Sequence, residues 1–441
     1  MSDTDRSRAE REDREAQIAR ILKRVEERLR KELPSGPQTL EQIERDVHEL
    51  GEEIKHDIQE EVVDALGSGH AGPTLGCACG SVARYRGDAV RSVITLQGEQ
   101  VLARAYYYCS SCRGGFHPLD RTLALGRGPC SVGVWALACR FASYLPYAVA
   151  AQELEMVCGI RLSASSIQRL AKQTGRTLMA EWEERESKLR TSPHSEPTGF
   201  APKQLHISMD GVMAHVDGAW REVKLGVCYE RSEERGTCTA AYYATLESSE
   251  RFGRRLRALS WVAKEPLCRQ VAVVADGSDW IWKETAKHFT RRTQILDFFH
   301  ASEHLWALAR ARYPADEAAA SKWIDQQKER LLDNRVADVV EDIRSWQPER
   351  EPDREVRRKE LVYLMQHAGR MKYKTYKSAG FHIGSGVMES SCRWVVQQRM
   401  KGAGMRWSRN GAESMLHLRT AWCSRKHDDL INAARRAIRA A

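Results

Sequence analysis

The sequence lacks any long apolar run. A membrane-spanning helix needs about 20 predominantly apolar residues, and the longest comparable stretch, residues 132–139, ends at Arg140. Residues 1–15 are dense in charges of both signs and have no apolar centre of the kind that a secretory signal peptide carries. The sequence therefore predicts a soluble cytoplasmic protein with no membrane partner.

The sequence also lacks the cysteine pattern of a disulfide framework. Eight of its twelve cysteines are scattered singly, as small buried residues are in intracellular proteins. The other four form two pairs, Cys77 with Cys79 and Cys109 with Cys112, joined by alternating strand-like residues. Two such pairs on tight turns can close a tetrahedral, structural zinc site. The one-residue spacer of the first pair departs from the usual two, and chance clustering is the alternative.

A strong overall charge is absent as well. The net charge of +9 at pH 7 argues only weakly for a polyanionic partner. Its distribution is more informative, because residues 390–441 carry 11 Lys and Arg against 3 Asp and Glu, whereas residues 1–60 carry 12 against 17. A basic terminal segment is typical of a surface that contacts DNA phosphates. A solvated helix face is the alternative interpretation.

Changes in composition and periodicity divide the chain into six predicted segments. They are a helical region (1–70), a zinc-ribbon-like module (71–125), a helix-turn-helix-like region (126–190), a strand-rich region (203–304), a helical region (305–380) and a basic helical region (381–441). A linker rich in proline, serine and glycine precedes the strand-rich region. The first helices either pair with another subunit or pack on the main body.

The helix-turn-helix is predicted from a glycine turn between two helical patterns. One helix ends at Gly159, and Ser163 or Ser165 is placed to cap the next. Arg169 and Lys172 face outward on that second helix, where they are candidates for DNA contact. Helix pairs of this shape also occur in proteins that do not bind DNA.

Three acidic residues fall where strands end or a helix begins. Asp210 closes an alternating run, Asp276 follows a buried run, and Glu389 lies in the first turn of a helix. Three strands, a helix, a strand, a helix and a further strand are the order of an RNase H-like α/β fold. In that order the first and fourth strands are neighbours, so Asp210 and Asp276 are expected to meet. For each acid taken alone, a structural role is the simpler explanation. Asp210 and Asp276 could be turn residues at strand ends, and Glu389 could be an acidic residue at the start of a helix.

Clustered carboxylates of this kind suit a two-metal site. Two Mg²⁺ or Mn²⁺ ions held by Asp210, Asp276 and Glu389 could activate a nucleophile and neutralise a leaving oxygen. The residues that follow Glu389 on nearby turns are candidates for contact with the scissile strand. These are Arg393, Gln397, Arg399 and Lys401.

Some neighbouring side chains compete for these roles. Asp279 is the nearest competitor of Asp276, but it begins a helix and is predicted to be its cap. Trp280, Trp282, Trp394 and Trp407 are candidates for stacking on unpaired bases. Most tryptophans in such contexts are core residues, so at most one of the four is expected to stack.

Four stretches of the chain resemble the Mutator-like DDE transposases of bacterial insertion sequences, most closely the ISKra-type group. They are HISMDGV (206–212), VVADGSDWIW (273–282), ILDFFHASEHL (295–305) and GSGVMESSCRWVVQQRMKGAGMRWS (384–408). The resemblance implies that Asp210, Asp276 and Glu389 are the catalytic triad. It also implies roles for Asp297 and His300, the acid-two-residues-His element, a DNA contact for Arg406, and a helical insertion at 305–380.

The resemblance further implies a DNA transposase with a multidomain α/β (α+β) fold around an RNase H-like core. Such an enzyme binds the terminal inverted repeats of its element, frees a 3′-hydroxyl by hydrolysis and joins it to target DNA. Its expected partners are double-stranded DNA and further copies of itself, at the nucleoid. The alternatives are a host nuclease with the same fold and a domesticated DNA-binding protein that has lost activity.

Overall fold

The computed structural model describes residues 3–33, 36, 38–191, 197, 199, 201–232, 237–424 and 427–440. Within these ranges the protein is a mixed α/β structure with two β-sheets, which agrees with the predicted α/β class. The chain forms two compact units: unit 1 comprises Met1–Ala142, Pro146–Leu170 and Ile431–Ala441, and unit 2 comprises Ser143–Leu145 and Ala171–Leu430. None of the described helices is long and apolar enough to cross a membrane.

Unit 1 begins with two long helices, α1 (Asp3–Glu32) and α2 (Leu40–Asp64). Thr39 and Gln42 form a reciprocal capping box at the start of α2. Ion pairs join the helices, including Arg24 with Glu60 at 2.8 Å. The predicted N-terminal helices are therefore present, and they pack against each other.

The sheet of unit 1 is antiparallel throughout, in the order β1-β2-β3-β4. Its strands are β1 (Thr74–Gly76), β2 (Val82–Thr95), β3 (Gly98–Cys109) and β4 (Gly114–Phe116). The remaining helices of this part of the chain are α3 (Pro118–Thr122), α4 (Val132–Tyr144), α5 (Tyr147–Cys158) and α6 (Ala164–Thr191). A small core of Ala83, Ala105, Tyr107 and Cys109 lies at the cysteine end of the sheet.

The helix boundaries predicted for the helix-turn-helix are confirmed. Gly159 ends α5 in the left-handed conformation, with φ at 65°. Ser163, one of the two predicted caps, accepts a hydrogen bond from the Ser166 N–H at the start of α6. The division between the two units falls inside α6, between Leu170 and Ala171.

The sheet of unit 2 has five strands in the order β7-β6-β5-β8-β9. They are β5 (Gln204–Val216), β6 (Ala219–Ser232), β7 (Thr237–Thr245), β8 (Gln270–Ala275) and β9 (Thr293–Leu296). The first three pair antiparallel, and β5, β8 and β9 pair parallel. The predicted neighbours, the first and fourth strands of this region, are therefore adjacent. The apolar sequence of β8 is typical of a strand buried on both faces, and its residues after Gln270 are all buried.

The other elements of unit 2 are helical. They are α7 (Ser249–Val262), α8 (Asp279–His288), α9 (Phe298–Arg312), α10 (Glu317–Leu332), α11 (Val336–Ser345), α12 (Glu351–His367), α13 (Tyr373–Ser378), α14 (Gly386–Ser391), a π-helical segment (Cys392–Gln397), α15 (Gln398–Met400) and α16 (Arg409–Cys423), with 3₁₀ turns at Glu265–Leu267 and Ala368–Arg370. The last helix, α17 (His427–Ala440), belongs to unit 1 from Ile431 onward. The helical character predicted for residues 305–380 is confirmed. One large core unites β5, β8 and β9 with helices α7 to α13.

Candidate functional site

Asp210 and Asp276 lie at the same edge of the unit 2 sheet. In the parallel pair of β5 and β8, Ile207 is opposite Val273. Asp210 lies three residues further along β5 and Asp276 three residues further along the chain, just after β8 ends at Ala275. Because the strands are parallel, the same step along each leads to the same place, the carboxyl end of β8, and ligands bind at the carboxyl ends of strands in open α/β sheets. The prediction that Asp210 closes its strand is wrong, because β5 continues to Val216.

A tight turn holds Asp276. Its Oδ1 accepts the Ser278 N–H at 2.9 Å and its Oδ2 accepts the Ser278 hydroxyl at 3.0 Å. The Trp282 Nε1–H donates to the Asp276 carbonyl oxygen at 2.8 Å. Asp279 is the first residue of α8, as expected, but Ser278 occupies the cap position before it. The prediction that Asp279 caps this helix is therefore wrong.

Asp297 ties the start of α9 to the loop that leads into α14. Its Oδ1 accepts the His300 N–H at 2.8 Å, and its Oδ2 accepts the Ser385 N–H at 2.5 Å. The carboxylate is buried, with 3% of the residue exposed. Gly384 allows the close approach, since a Cβ there would lie 2.7 Å from the Phe299 ring. Asp297 thus fixes the loop just before Glu389.

A cavity of about 670 Å³, the acidic cavity, brings the predicted catalytic residues together. Its lining includes Asp210, Asp276, Asp297, His300 and Glu389, with Glu303, Cys392, Gln397 and Lys401. Sequence reasoning missed Glu303 and Cys392. The Cys392 Sγ–H donates to Asp210 Oδ2 at 3.5 Å. Cys392 begins the π-helical segment, a feature that is frequent at functional sites.

The acidic cavity concentrates negative charge. Burial raises the pKa of the Asp210 carboxyl above its ordinary value, and the neighbouring Asp276 carboxylate raises it further. Burial also raises the pKa of the Cys392 thiol far above its ordinary value, and all three predicted catalytic acids add to that rise. The thiol is therefore neutral, and the aspartates repel each other.

The donor set of the cavity suits a divalent cation, but the carboxylates are not gathered around one point. Carboxylate oxygens are the ligands that Mg²⁺ and Mn²⁺ prefer. Protein donors occupy both oxygens of Asp210 and of Asp276. In the described part of the chain, only the four cysteines form a group of three or more ligands spaced to hold a metal. The three acids therefore line one cavity without forming such a group.

The predicted DNA-contacting residues occupy different environments. Arg393, Lys401 and Arg406 are exposed, and Gln397 and Lys401 line the acidic cavity. Arg399 is only 2% exposed, with its guanidinium 5.0 Å from the centre of the Trp407 ring. That position does not match the predicted contact with DNA, because the guanidinium is inside the protein.

On α6, Arg169 is exposed and Lys172 is half-buried. The two residues lie on opposite sides of the division between the units. Arg169 therefore remains a candidate for DNA contact at the surface of unit 1, and Lys172 has less of its side chain available.

One of the four candidate tryptophans is well exposed. Trp282 and Trp407 are buried, and Trp280 packs edge-on against Phe252 at 5.7 Å. Trp394 is 43% exposed and lines a second cavity of about 670 Å³, the aromatic cavity. The rings around it are Tyr229, Tyr242, Phe299, His382 and Trp394. Phe299 and Gly386 line both cavities.

The two cysteine pairs of unit 1 come together, as their spacing predicts. Their four sulfur atoms lie within 4.8 Å of one another, with Cys77 Sγ 3.6 Å from Cys112 Sγ and Cys79 Sγ 3.7 Å from Cys109 Sγ. The Ser81 N–H lowers the pKa of the Cys79 thiol to about 6, and the Cys112 N–H lowers the pKa of Cys109. The group could hold a metal ion such as zinc.

Comparison with known proteins places the chain in a family. No curated protein matches the sequence. Residues 83–431 match the uncharacterised protein family UPF0236. The matched range includes all five predicted catalytic residues and the second cysteine pair, and it begins after the first pair. Because the match covers well over half of the sequence, the chain belongs to the uncharacterised protein family UPF0236.

Proposed function

We propose that this protein is a DNA transposase of the DDE type, with Asp210, Asp276 and Glu389 as its catalytic acids. The observation that carries the proposal is that these acids, which are far apart in sequence, line one cavity at the carboxyl end of β8, beside the middle of β5. Three antiparallel strands followed by two parallel ones, in the order β7-β6-β5-β8-β9, support an RNase H-like core. The resemblance of four stretches to Mutator-like transposases supports the reaction class.

The chemistry of the acidic cavity supports a divalent metal site. A cation there relieves the repulsion between Asp210 and Asp276 that raises the pKa of Asp210. Glu389 is exposed at the start of α14, so its side chain has room to turn toward the aspartates. Two Mg²⁺ or Mn²⁺ ions, once bound, supply an activated attacking oxygen and neutralise the charge on the leaving oxygen.

Residues around the cavity are suited to hold a DNA strand. Lys401 and Gln397 line it, and Arg393 and Arg406 are exposed on the same stretch of chain. Such donors bind phosphate oxygens without reading sequence. The aromatic cavity shares Phe299 with the acidic one, so a base next to the scissile phosphate can stack on Trp394.

The proposed reaction has two phosphoryl-transfer steps at one site. In the first, water attacks the phosphorus at the element's end, the P–O3′ bond breaks, and the 3′ oxygen takes up a proton. In the second, this 3′-hydroxyl loses its proton and attacks a phosphorus of target DNA, the P–O3′ bond of the target strand breaks, and the leaving 3′ oxygen takes up a proton. The protein contributes positioning and charge stabilisation, with no covalent protein–DNA intermediate.

The other parts of the chain fit accessory roles in the same proposal. The four-cysteine group is a structural zinc-ribbon site, because four thiolates leave no coordination position open for chemistry. The α5–α6 pair, with Arg169 exposed, is the reader of the terminal repeats. Bringing two ends together requires a homo-oligomer, at the nucleoid where the DNA lies.

The test is Mg²⁺-dependent cleavage of DNA that carries the inverted repeats flanking the gene. Wild type is compared with Glu389→Gln, and Asp279→Asn is the matched control because Asp279 lies near Asp276 without lining the cavity. Cleavage at the repeat boundary by wild type and the control, leaving a 3′-hydroxyl, supports the proposal. Binding without cleavage by all three favours the domesticated DNA-binding protein, and cleavage by shape without joining favours the host nuclease.

A further inference from the structure

Helices α9 and α12 hold a chain of polar side chains that leads to the acidic cavity. Glu360 of α12 is buried, and its Oε2 contacts His304 Nδ1. His304 Nε2 lies 3.4 Å from His300 Nε2. His300 lines the acidic cavity, and its Nδ1 lies 3.3 Å from Glu303 Oε2. The order is therefore Glu360, His304, His300, cavity.

The contacts in this chain determine where the protons lie. The Glu360 carboxylate accepts a hydrogen bond, so His304 carries its proton on Nδ1 and has a lone pair on Nε2. Two ring nitrogens can face each other favourably only if one of them carries a proton. His300 therefore donates from Nε2 to His304. Its Nδ1 faces the Glu303 carboxylate, which favours a proton on Nδ1 as well.

The helical segment 305–380 fixes this arrangement. The Tyr363 ring of α12 stacks on the His304 ring, with the ring centres 3.6 Å apart. Tyr363 also packs against the turn at Asp276, because a Cβ on Gly277 would lie 2.4 Å from the Tyr363 hydroxyl oxygen. The segment thus connects the histidine pair to the strand end that carries Asp276.

We propose that Glu360 and His304 are positioning residues that set the protonation of His300, and that His300 Nδ1 exchanges the proton of the reacting 3′ oxygen. The inference rests on the proposed transposase function. The substrate displaces Glu303, whose side chain is 75% exposed and free to move. His304 continues to accept from His300 Nε2 throughout.

The proton balances over the two steps. In the first step water attacks the phosphorus and loses a proton to solvent; the P–O3′ bond breaks, its electron pair goes to O3′, and O3′ takes the proton from His300 Nδ1. In the second step O3′ forms a bond to the target phosphorus and its proton returns to His300 Nδ1; the P–O3′ bond of the target strand breaks, and the leaving oxygen takes a proton from solvent. One histidine is therefore the acid of the first step and the base of the second.

A substrate with a sulfur leaving atom tests this role. In DNA with sulfur in place of the bridging 3′ oxygen at the cleavage site, the leaving thiolate needs no proton, because thiols are far more acidic than alcohols. We expect His300→Ala to slow cleavage of the oxygen substrate about a hundredfold or more, with little loss on the sulfur substrate in the same Mn²⁺ buffer. Glu389→Gln is expected to stay slow on both.

The positioning role is tested without any reaction. Hydrogen exchange at the C2 position of each histidine, followed by mass spectrometry against pH, reports the titration of His300 in the protein free of DNA. Glu360→Gln is expected to lower the midpoint of His300, because a negative charge behind His304 is lost. Glu355→Gln is the matched control on the same helix, where Glu355 is exposed and paired with Arg358.

Other charged groups near the pair must stay unchanged in this comparison. They are Glu303 on α9, His367 and Tyr363 on α12, and Asp276 and Asp297 at the strand ends. If His300 titrates with the same midpoint in wild type and in folded Glu360→Gln, the positioning role of Glu360 is refuted, even if the protein cuts DNA. If Glu360→Gln does not fold, His304→Phe serves instead: it keeps a flat ring against Tyr363 but cannot accept from His300 Nε2, so the His300 midpoint is expected to fall. Failure of wild type to cut either substrate counts against the transposase function, independently of the titration.

Discussion

The four cysteines of unit 1 lie with their sulfur atoms within 4.8 Å of one another, whereas the three acids of unit 2 share a cavity without such a grouping. The difference follows from how each set is built. The cysteines come from two turns at the end of one small antiparallel sheet, so local backbone geometry brings them together. The acids come from the middle of β5, the end of β8 and a distant helix. A closed set of ligands suits a structural ion, and an open, repulsive set suits a site that must admit substrate.

The largest expected effect is on the four-cysteine group of unit 1. Cys109→Ser removes one ligand, and the zinc-binding free energy of such modules, about 10 kcal/mol or more, is coupled to their folding. We expect loss of bound zinc and rapid proteolysis within β1 to β4. Metal analysis and limited proteolysis measure this, with Cys158→Ser as the control because Cys158 lies outside the group. Unchanged protease resistance would show that the fold of the module depends neither on Cys109 nor on zinc.

Substitutions among the three acids of unit 2 are expected to have the opposite effect: they lower the rate of DNA cleavage and leave the protein folded. Asp276→Asn should lower the cleavage rate about a hundredfold or more, because several kcal/mol of charge stabilisation depend on the metal ligands. Asp279→Asn, on the exposed start of α8, should leave the rate within about twofold. Equal rates in Asp276→Asn and wild type would remove Asp276 from the metal site.

A smaller effect, a gain in stability, is expected when the charge of Asp210 is removed. Because the folded pKa of Asp210 is raised, the fold loses stability as pH rises from the ordinary aspartate value to the folded one, and the loss persists above it. Asp210→Asn removes this loss and should raise the melting temperature near pH 7 in the absence of metal. Melting at pH 4 and pH 7 measures it, and a variant less stable than wild type at pH 7 contradicts it.

The smallest expected effect is on Cys392, a cysteine that lies outside the four-cysteine group. Cys392 only donates a hydrogen bond to Asp210, so Cys392→Ser, which keeps a donor, should cost about 1 kcal/mol or less. Chemical denaturation measures the cost, and zinc content should not change. A loss of zinc in this variant would mean that Cys392 itself binds zinc.

Sequence patterns predicted those parts of the site that depend on local structure. The strand end at Asp276 and the pairing of β5 with β8 follow from the order of elements, and the cysteine pairs follow from their spacing. Alternation predicted β5 but not its length, because the strand continues past Asp210 to Val216. The pairing of His304 with Glu360 could not be predicted, because it depends on how α12 packs against α9. Arg399 was expected to contact DNA because it follows Glu389 on a nearby turn, but its guanidinium lies in the interior against the Trp407 ring.

The π-helical segment has a consequence for insertions and deletions in this family. A π-helical turn contains one more residue than an α-helical turn, so the segment shifts the helical phase between Glu389 and Arg399 by about 100°. That shift lets one continuous helical stretch direct Glu389 to the acidic cavity and Arg399 into the core. Deleting a single residue between Cys392 and Gln397 would restore α-helical phase and force one of the two to leave its place. The length of this stretch is therefore as constrained as its composition.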